Sequence, residues 1–185
     1  MQLKPKPIRR SVGHNIYIRD TLPADPSLMA EAFRGTDLEP SATNLQRHMD
    51  EVAAGTRDAV TAVLGSQPVG YGTLNWRPRY PLFRDAHIPE IQDVNVVSRA
   101  RRRGVGTAIL IELERRAAIR SPVVGIGVGL YRAYGSAQRL YVKRGYLPDG
   151  SGVCSGDIVI APGTYVRLDD DLVLYLTKLV HPHGQ

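Results

Sequence analysis

The stretch best equipped for chemistry runs Ser98-Arg99-Ala100-Arg101-Arg102-Arg103-Gly104-Val105-Gly106-Thr107, directly after the apolar run that ends at Val97. A turn that leads into a helix leaves backbone N–H groups unpaired at the positive end of the helix dipole, which makes it an anion site. The amides from about Arg102 to Thr107 can converge on one group, and glycine at 104 and 106 permits its close approach. The flanking arginines suggest that the anion is phosphate. Other candidate groups are scattered. There are 5 histidines (His14, His48, His87, His181 and His183) and one cysteine, Cys154. No CxxC or Cys/His cluster exists, so no metal is implied and no internal disulfide is possible. Cys154 has no partner base nearby in sequence, which disfavours a covalent route through its thiol.

Several elements must hold that turn. Ile91 to Val97 reads as the strand before it. The helix after it carries Val105, Ile109, Leu113 and Ala117 four residues apart and stops at Ser121-Pro122. Val123 to Leu130 reads as a strand with Val124, Ile126 and Val128 on one face and Gly125, Gly127 and Gly129 on the other. Three glycines on one face call for a close approach, by a ligand's arm or by tight packing. Tyr134 to Lys143 suits a second helix with Ala137, Leu140 and Tyr141 inward and Gly145 just past its end. Upstream, His14 to Arg19 reads as a strand, and Thr21 to Arg34 as a helix with Leu28, Met29, Ala32 and Phe33 on one side. Ser41 to Ala54 reads as a helix capped by Ser41. Arg57 to Leu64 and Val69 to Trp76 read as two strands joined through Gly65-Ser66-Gln67-Pro68. The loop Arg77 to Pro89 carries Tyr80, Leu82 and Phe83, as a substrate wall or as cover for the core. Asp149 to Pro162 reads as a loop or hairpin, and Leu172 to Leu179 as a final strand.

The 185 residues suit one domain, 1–185, with residues 1–12 as a flexible basic arm. A hydrophobic content of 43% with 23% charged residues fits a soluble globular chain, and no apolar run nears the roughly 20 residues that span a bilayer. No signal-peptide core follows the basic start, so a cytoplasmic protein is expected. The net charge of +6 gathers around glycines, at Arg99 to Arg103 and Arg139 to Arg144. That favours a phosphate-rich small molecule over nucleic acid or a membrane.

Here the residues resemble a family. Val96-x-x-x-x-Arg101-x-x-Gly104-x-Gly106 before a helix resembles the acetyl-CoA-binding signature of the GNAT acetyltransferase superfamily. Ala137-x-x-Leu140-Tyr141-x-x-x-Gly145-Tyr146 resembles that family's second signature, in the right order and one strand later. The resemblance covers about Ile91 to Leu147. Ser98 stands where members often have proline, and an asparagine common near Gly135 is missing, but neither departure touches the amide cradle.

The resemblance implies an α/β (α+β) fold: a mixed, mostly antiparallel sheet with parallel, splayed strands 4 and 5 and helices on both faces. It implies acetyl-CoA as cosubstrate and no metal. Cofactor contacts fall on Val96, Val97, Arg101, Arg102, Arg103, Gly104, Val105, Gly106 and Thr107, with Ser136 and Arg139 from the final helix. Val96 and Val97 match the strand backbone that pairs with the pantetheine arm, which would pass the glycine face of the next strand. Arg139, Lys143 and Arg144 can meet cofactor phosphate or form a solvated face. Tyr141 matches the family's general acid, and a tyrosine with pKa near 10 stays protonated at neutral pH. The base is Glu90 or Asp93, directly or through water, with His87 a weaker third candidate and an ordered water without a strong base a further reading; strand alternation puts the two carboxylates on opposite faces unless a bulge intervenes.

The expected activity is therefore acetyl transfer from acetyl-CoA to a primary amine of a small molecule, an aminoglycoside-type amino sugar being the best single guess. Asp157 and Asp169 to Asp171 can offer acidic walls to such a cation or form a polar turn. The alternatives are a protein or peptide N-acetyltransferase and a non-catalytic acyl-CoA-sensing module. A homodimer is expected by analogy with the family.

Overall fold

The computed structural model describes residues 10–11, 16–35 and 41–181, and the N-terminal arm expected over 1–12 falls outside these except for Arg10 and Ser11. The chain forms two compact units, Met1–Leu74 with Asp93–Leu113 and Asn75–Gln92 with Glu114–Gln185.

In the first unit, β1 (Arg10–Ser11), β2 (Ile16–Asp20), β3 (Arg57–Leu64), β4 (Gln67–Asn75) and the end of β5 (Glu90–Val96) lie side by side in that order. β2 pairs antiparallel with β3 from Ile16↔Leu64 to Asp20↔Val60. The β-branched residues Ile16 and Ile18 alternate inward, as the sequence pattern requires. α1 (Asp25–Phe33) opens with proline in its first turn and buries Met29 and Phe33, while Leu28 points out. α2 (Ala42–Ala53) follows. Ser41 occupies its N-cap position, yet the hydroxyl makes no capping hydrogen bond.

The two faces of β4 explain the layering. Gly70 and Gly72 face α4 (Val105–Ala117): a Cβ on Gly72 would lie 2.6 Å from Ile109 Cγ2, and one on Gly70 2.7 Å from Asn95 O. The helix stripe read from the sequence thus packs onto a strand stripped of side chains to receive it. Tyr71 and Thr73 point the other way, toward Met29 of α1 and Leu45 and His48 of α2. Helices therefore cover both faces of this sheet.

In the second unit the strand order is β5, β6 (Val123–Gly129), β9 (Leu172–Leu179), β7 (Leu147–Ser155), β8 (Ile158–Val159). β5 runs parallel to β6, pairing Glu90 with Gly125 and Ile91 with Ile126. β6 pairs antiparallel with β9 along its whole length, and β9 with β7 across an irregularity between Pro148 and Val153. One parallel pair in an otherwise antiparallel set is the mixed sheet expected. Of the loop and hairpin readings of Asp149 to Pro162, the hairpin one holds: β7 pairs antiparallel with β8 at Cys154↔Val159 and Ser155↔Ile158, while Gly150 and Gly152 take positive φ at the irregularity before it.

Of the two readings of the loop Arg77 to Pro89, Tyr80 and Phe83 fit the one that covers the core. Each is 1% exposed, and with Cys154 and Tyr175 they form an apolar cluster under the short helix α3 (Pro81–Asp85). Tyr80 stacks on Tyr175 at 3.8 Å between ring centres. The glycine face of β6 is occupied in the same way. A Cβ on Gly125 would meet Phe83, on Gly127 Tyr175, and on Gly129 Tyr134. Of the two readings of that face, the packing one describes these glycines. Among the described residues, no helix is long and apolar enough to cross a membrane.

Candidate active site

The basic turn belongs to the first unit. β5 hands over to it through Val97, whose N–H donates to Val69 O at 3.0 Å, and a single 3-10 turn, Ser98–Ala100, follows. Buried Val97 and Ala100 anchor the segment from inside. The Arg101 Nε folds back to donate to Val96 O at 3.0 Å. Val97 O accepts from Ala100 N–H, so these groups of the two strand-end residues are already engaged by the protein itself.

Arg102 (φ 58) and Gly104 (φ 82) are left-handed, a backbone alternation that turns nearby N–H groups toward one side. Beyond its chain neighbours, no atom of the described residues lies within 4 Å of a Cβ placed on Gly104, so what glycine supplies there is the φ itself. Residues 101–104 are all exposed, while Val105 is buried and pins the first turn of α4. Ala108 N–H returns to Gly104 O at 2.9 Å, which leaves the amides of Val105, Gly106 and Thr107 before the first helical hydrogen bond. Exposed guanidiniums, free helix amides and a nest-like turn fit a phosphate group.

Asp93 also lies in the first unit, with φ 55, so β5 does carry the break in alternation that the sequence left open. Its Oδ2 lies 3.4 Å from Nε2 of His48 on α2. Beside them Asn95 Nδ2 donates to Tyr71 OH at 3.1 Å. Burial raises the Tyr71 hydroxyl above the usual tyrosine value, and nearby Asp93 adds to this. His48 lines a small, mostly apolar pocket with Pro26, Met29, Leu45, Met49 and Tyr71. His48 drew no attention in the sequence: nothing in a lone helical histidine announces a carboxylate on a distant strand.

Glu90 belongs to the second unit. It is 5% exposed, accepts from Gln92 Nε2 at 2.9 Å, and lies 3.9 Å from where a Gly127 Cβ would stand. In the same unit β6 continues through the 3-10 turn Arg132–Tyr134 into α5 (Gly135–Lys143), tied back by Gln138 Nε2 to Gly129 O at 2.8 Å. Ser136 and Arg139 lie on its exposed side. Tyr141 is 6% exposed and packs against Tyr146 at 5.8 Å between ring centres. Gly145 (φ 84) ends the helix as expected, with its N–H to Val142 O and Tyr146 N–H to Tyr141 O, the paired bonds of a Schellman turn.

Other charged candidates are taken. Arg144 pairs with the buried Glu114, which also accepts from Lys178 Nζ at 2.7 Å and Tyr146 OH at 3.1 Å. Burial pushes the Glu114 carboxyl up, but Arg144 and Lys178 together hold it below its ordinary value. Asp170 accepts from the hydroxyls of Tyr131 and Tyr134, and Asp157 lies 3.2 Å from Arg79.

The model of the Acetyltransferase (GNAT) family matches residues 26–146. The chain belongs to that family. Among solved structures it is similar to the ribosomal-protein-alanine N-acetyltransferase of Brucella melitensis, at 22% identity and TM-score 0.62, covering 88% of this chain and 99% of that one. It is similar to yncA of Salmonella typhimurium, solved with its cofactor acetyl-CoA, at 16% identity and TM-score 0.64, covering 92% and 97%. It is also similar to an aminoglycoside 6'-N-acetyltransferase complexed with coenzyme A, at 17% identity and TM-score 0.61, covering 91% and 99%. At these identities the likeness is one of fold. No curated protein matches the chain by sequence.

Proposed function

We propose that the protein transfers the acetyl group of acetyl-CoA to a primary amine of a small molecule by direct attack. The observation that carries this is the exposed turn Arg101–Gly104 before α4, whose left-handed residues and free helix amides suit a pyrophosphate. In this reading Arg101, Arg102, Arg103, Gly104, Val105, Gly106 and Thr107 hold the cosubstrate's phosphates, with Val96 and Val97 beside its arm. Ser136 and Arg139 are the contributions of α5. Tyr141 protonates the leaving thiolate. Glu90 or Asp93 relieves the attacking nitrogen of its proton. No metal takes part, the protein works in the cytoplasm, and it forms a homodimer.

The acceptor is an aminoglycoside-type amino sugar on the strength of two structural neighbours named as aminoglycoside 6'-acetyltransferases. A second reading, acetylation of a protein N-terminus, draws on the neighbour from Brucella melitensis, whose name gives ribosomal-protein alanine as its target. Thiol release from acetyl-CoA, screened over aminoglycosides, polyamines, amino acids and peptides, separates them. Turnover with amino sugars or other small amines is expected. Turnover with peptides alone would overturn the small-amine reading, and failure to bind acetyl-CoA would overturn both.

A further inference from the structure

The first unit holds a titratable pair for which the sequence offers no hint. His48 is 7% exposed, and its Nδ1 is buried with no hydrogen-bond partner among the described residues. Its other nitrogen, Nε2, lies 3.4 Å from Asp93 Oδ2. That spacing is longer than a charge-assisted hydrogen bond, which runs near 2.7–2.9 Å. A neutral imidazole carries one N–H and one lone pair. Nε2 also lies 3.4 Å from Nη2 of Arg47. With the hydrogen on Nδ1, the lone pair of Nε2 stands between that guanidinium and the carboxylate, and one added proton would close the gap to the carboxylate.

The two ends of the pair differ in access. The Asp93 side chain is 41% exposed, whereas the imidazole is enclosed by Met29, Leu45, Met49 and Tyr71. Asp93 also holds a left-handed φ of 55, a conformation that non-glycine residues seldom adopt, which breaks the side-chain alternation within β5. A half-open carboxylate on strained backbone, backed by an enclosed base, is a proton station. Glu90 lacks that form: it is buried and already bonded by Gln92.

We propose that Asp93 and His48 together take the proton from the acceptor's ammonium group, with Asp93 meeting the ammonium and His48 Nε2 holding the proton. This rests on the acetyltransferase reading above. In the step, the ammonium N–H bond breaks and an Nε2–H bond forms, with Asp93 as the hydrogen-bonding bridge. The freed amine lone pair attacks the thioester carbonyl, and the departing thiolate is protonated separately. The imidazolium returns its proton to water.

The surroundings keep the imidazole ready to accept. Burial lowers its pKa below the ordinary 6.5; Arg57 of β3 and Arg47 of α2 lower it further, while Asp93 and Glu51 oppose. Arg57 is itself held by Glu51 and by Thr73 Oγ1 at 2.7 Å, and Tyr71 by Asn95. At neutral pH the ring is therefore uncharged, and activity falls as pH drops through its pKa.

The experiment combines pH profiles of kcat and kcat/KM with NMR titration of the His48 ring in the full chain. His48→Gln is expected to lower kcat ten- to a hundredfold, to leave acetyl-CoA affinity within twofold, and to remove the acidic limb. Asp93→Asn should lower kcat and move the His48 titration to lower pH. Arg47→Gln, which removes a guanidinium 3.4 Å from His48 Nε2, should move the acidic limb to higher pH. Turnover that survives His48→Gln with the limb in place overturns the proposal alone. So does an imidazole titration that is the same in Asp93→Asn. An unmodified chain that turns over no amine overturns this proposal together with the acetyltransferase reading.

Discussion

Gly125 of β6 and Phe83 of α3 are matched in shape: a Cβ on Gly125 would stand 2.2 Å from the Phe83 ring. Phe83 is 1% exposed and meets Tyr80 and Tyr175 edge-on, so it has no free space to retreat into. Gly125→Ala is therefore expected to destabilise the protein by about 1–3 kcal/mol, as overpacking of a close-packed core does. Adding Phe83→Leu should recover part of the loss, because the smaller side chain makes room. Chemical denaturation of the two variants and their combination checks this. Additive losses would show that the two residues do not share one space.

Glu114 is the polar centre of the second unit, bonded by Arg144, Lys178 and Tyr146. Glu114→Gln removes a charge that two partly buried cations depend on. Since both cations keep some contact with solvent, a loss of about 2 kcal/mol is expected, below the range for a fully buried pair. The pH dependence has a definite sign. The folded carboxyl titrates below its ordinary 4.5, so its contribution is present above that value and is lost as pH falls toward the folded pKa. Wild-type stability should drop more steeply below about pH 4.5 than that of Glu114→Gln, in thermal melts across that window.

How far the sequence carried depends on whether the deciding contact is local. The stripe Val105, Ile109, Leu113 and Ala117 and the stop at Gly145 are set by neighbours on the same helix, and both stand in the structure as read. The turn at Arg101–Gly104 was legible for the same reason, since its chemistry sits in consecutive residues. Tyr80 and Phe83 were ambiguous because a Pro-rich loop does not disclose that Tyr175, far along the chain, will stack on it. Asp149 to Pro162 stayed open between loop and hairpin because Gly150 and Gly152 weaken any strand pattern while serving an irregular one. His48 and Asp93 meet only through tertiary packing of α2, and no spacing rule relates them.

Tyr141 tests the acid role. Tyr141→Phe keeps the ring against Tyr146 and removes only the hydroxyl. A general acid contributes typically 100- to 10,000-fold, so kcat should fall by at least about tenfold with acetyl-CoA affinity unchanged. The loss should shrink with a thioester whose thiol leaves more easily. Unchanged kcat would remove Tyr141 from the chemistry and leave it as a packing residue.

Arg102 separates what the turn needs from its backbone and what it needs from its charge. Its φ of 58 is a conformation that glycine adopts without steric cost, and the side chain is exposed with no fold to support. Arg102→Gly should thus hold stability level or raise it by up to about 1 kcal/mol, relief of the left-handed strain being offset by glycine's larger entropy when unfolded. The same change removes a guanidinium from the proposed phosphate seat. Acetyl-CoA affinity should fall severalfold, and the deficit should narrow at high salt, where surface charge is screened. Arg102→Ala loses the same charge but keeps the strain, so it should match the glycine variant in affinity and fall below it in stability. Calorimetric titration at two ionic strengths, beside thermal melts of both variants, measures the two effects apart. If affinity tracked stability across the pair, the arginine would be holding the turn's shape and not its ligand.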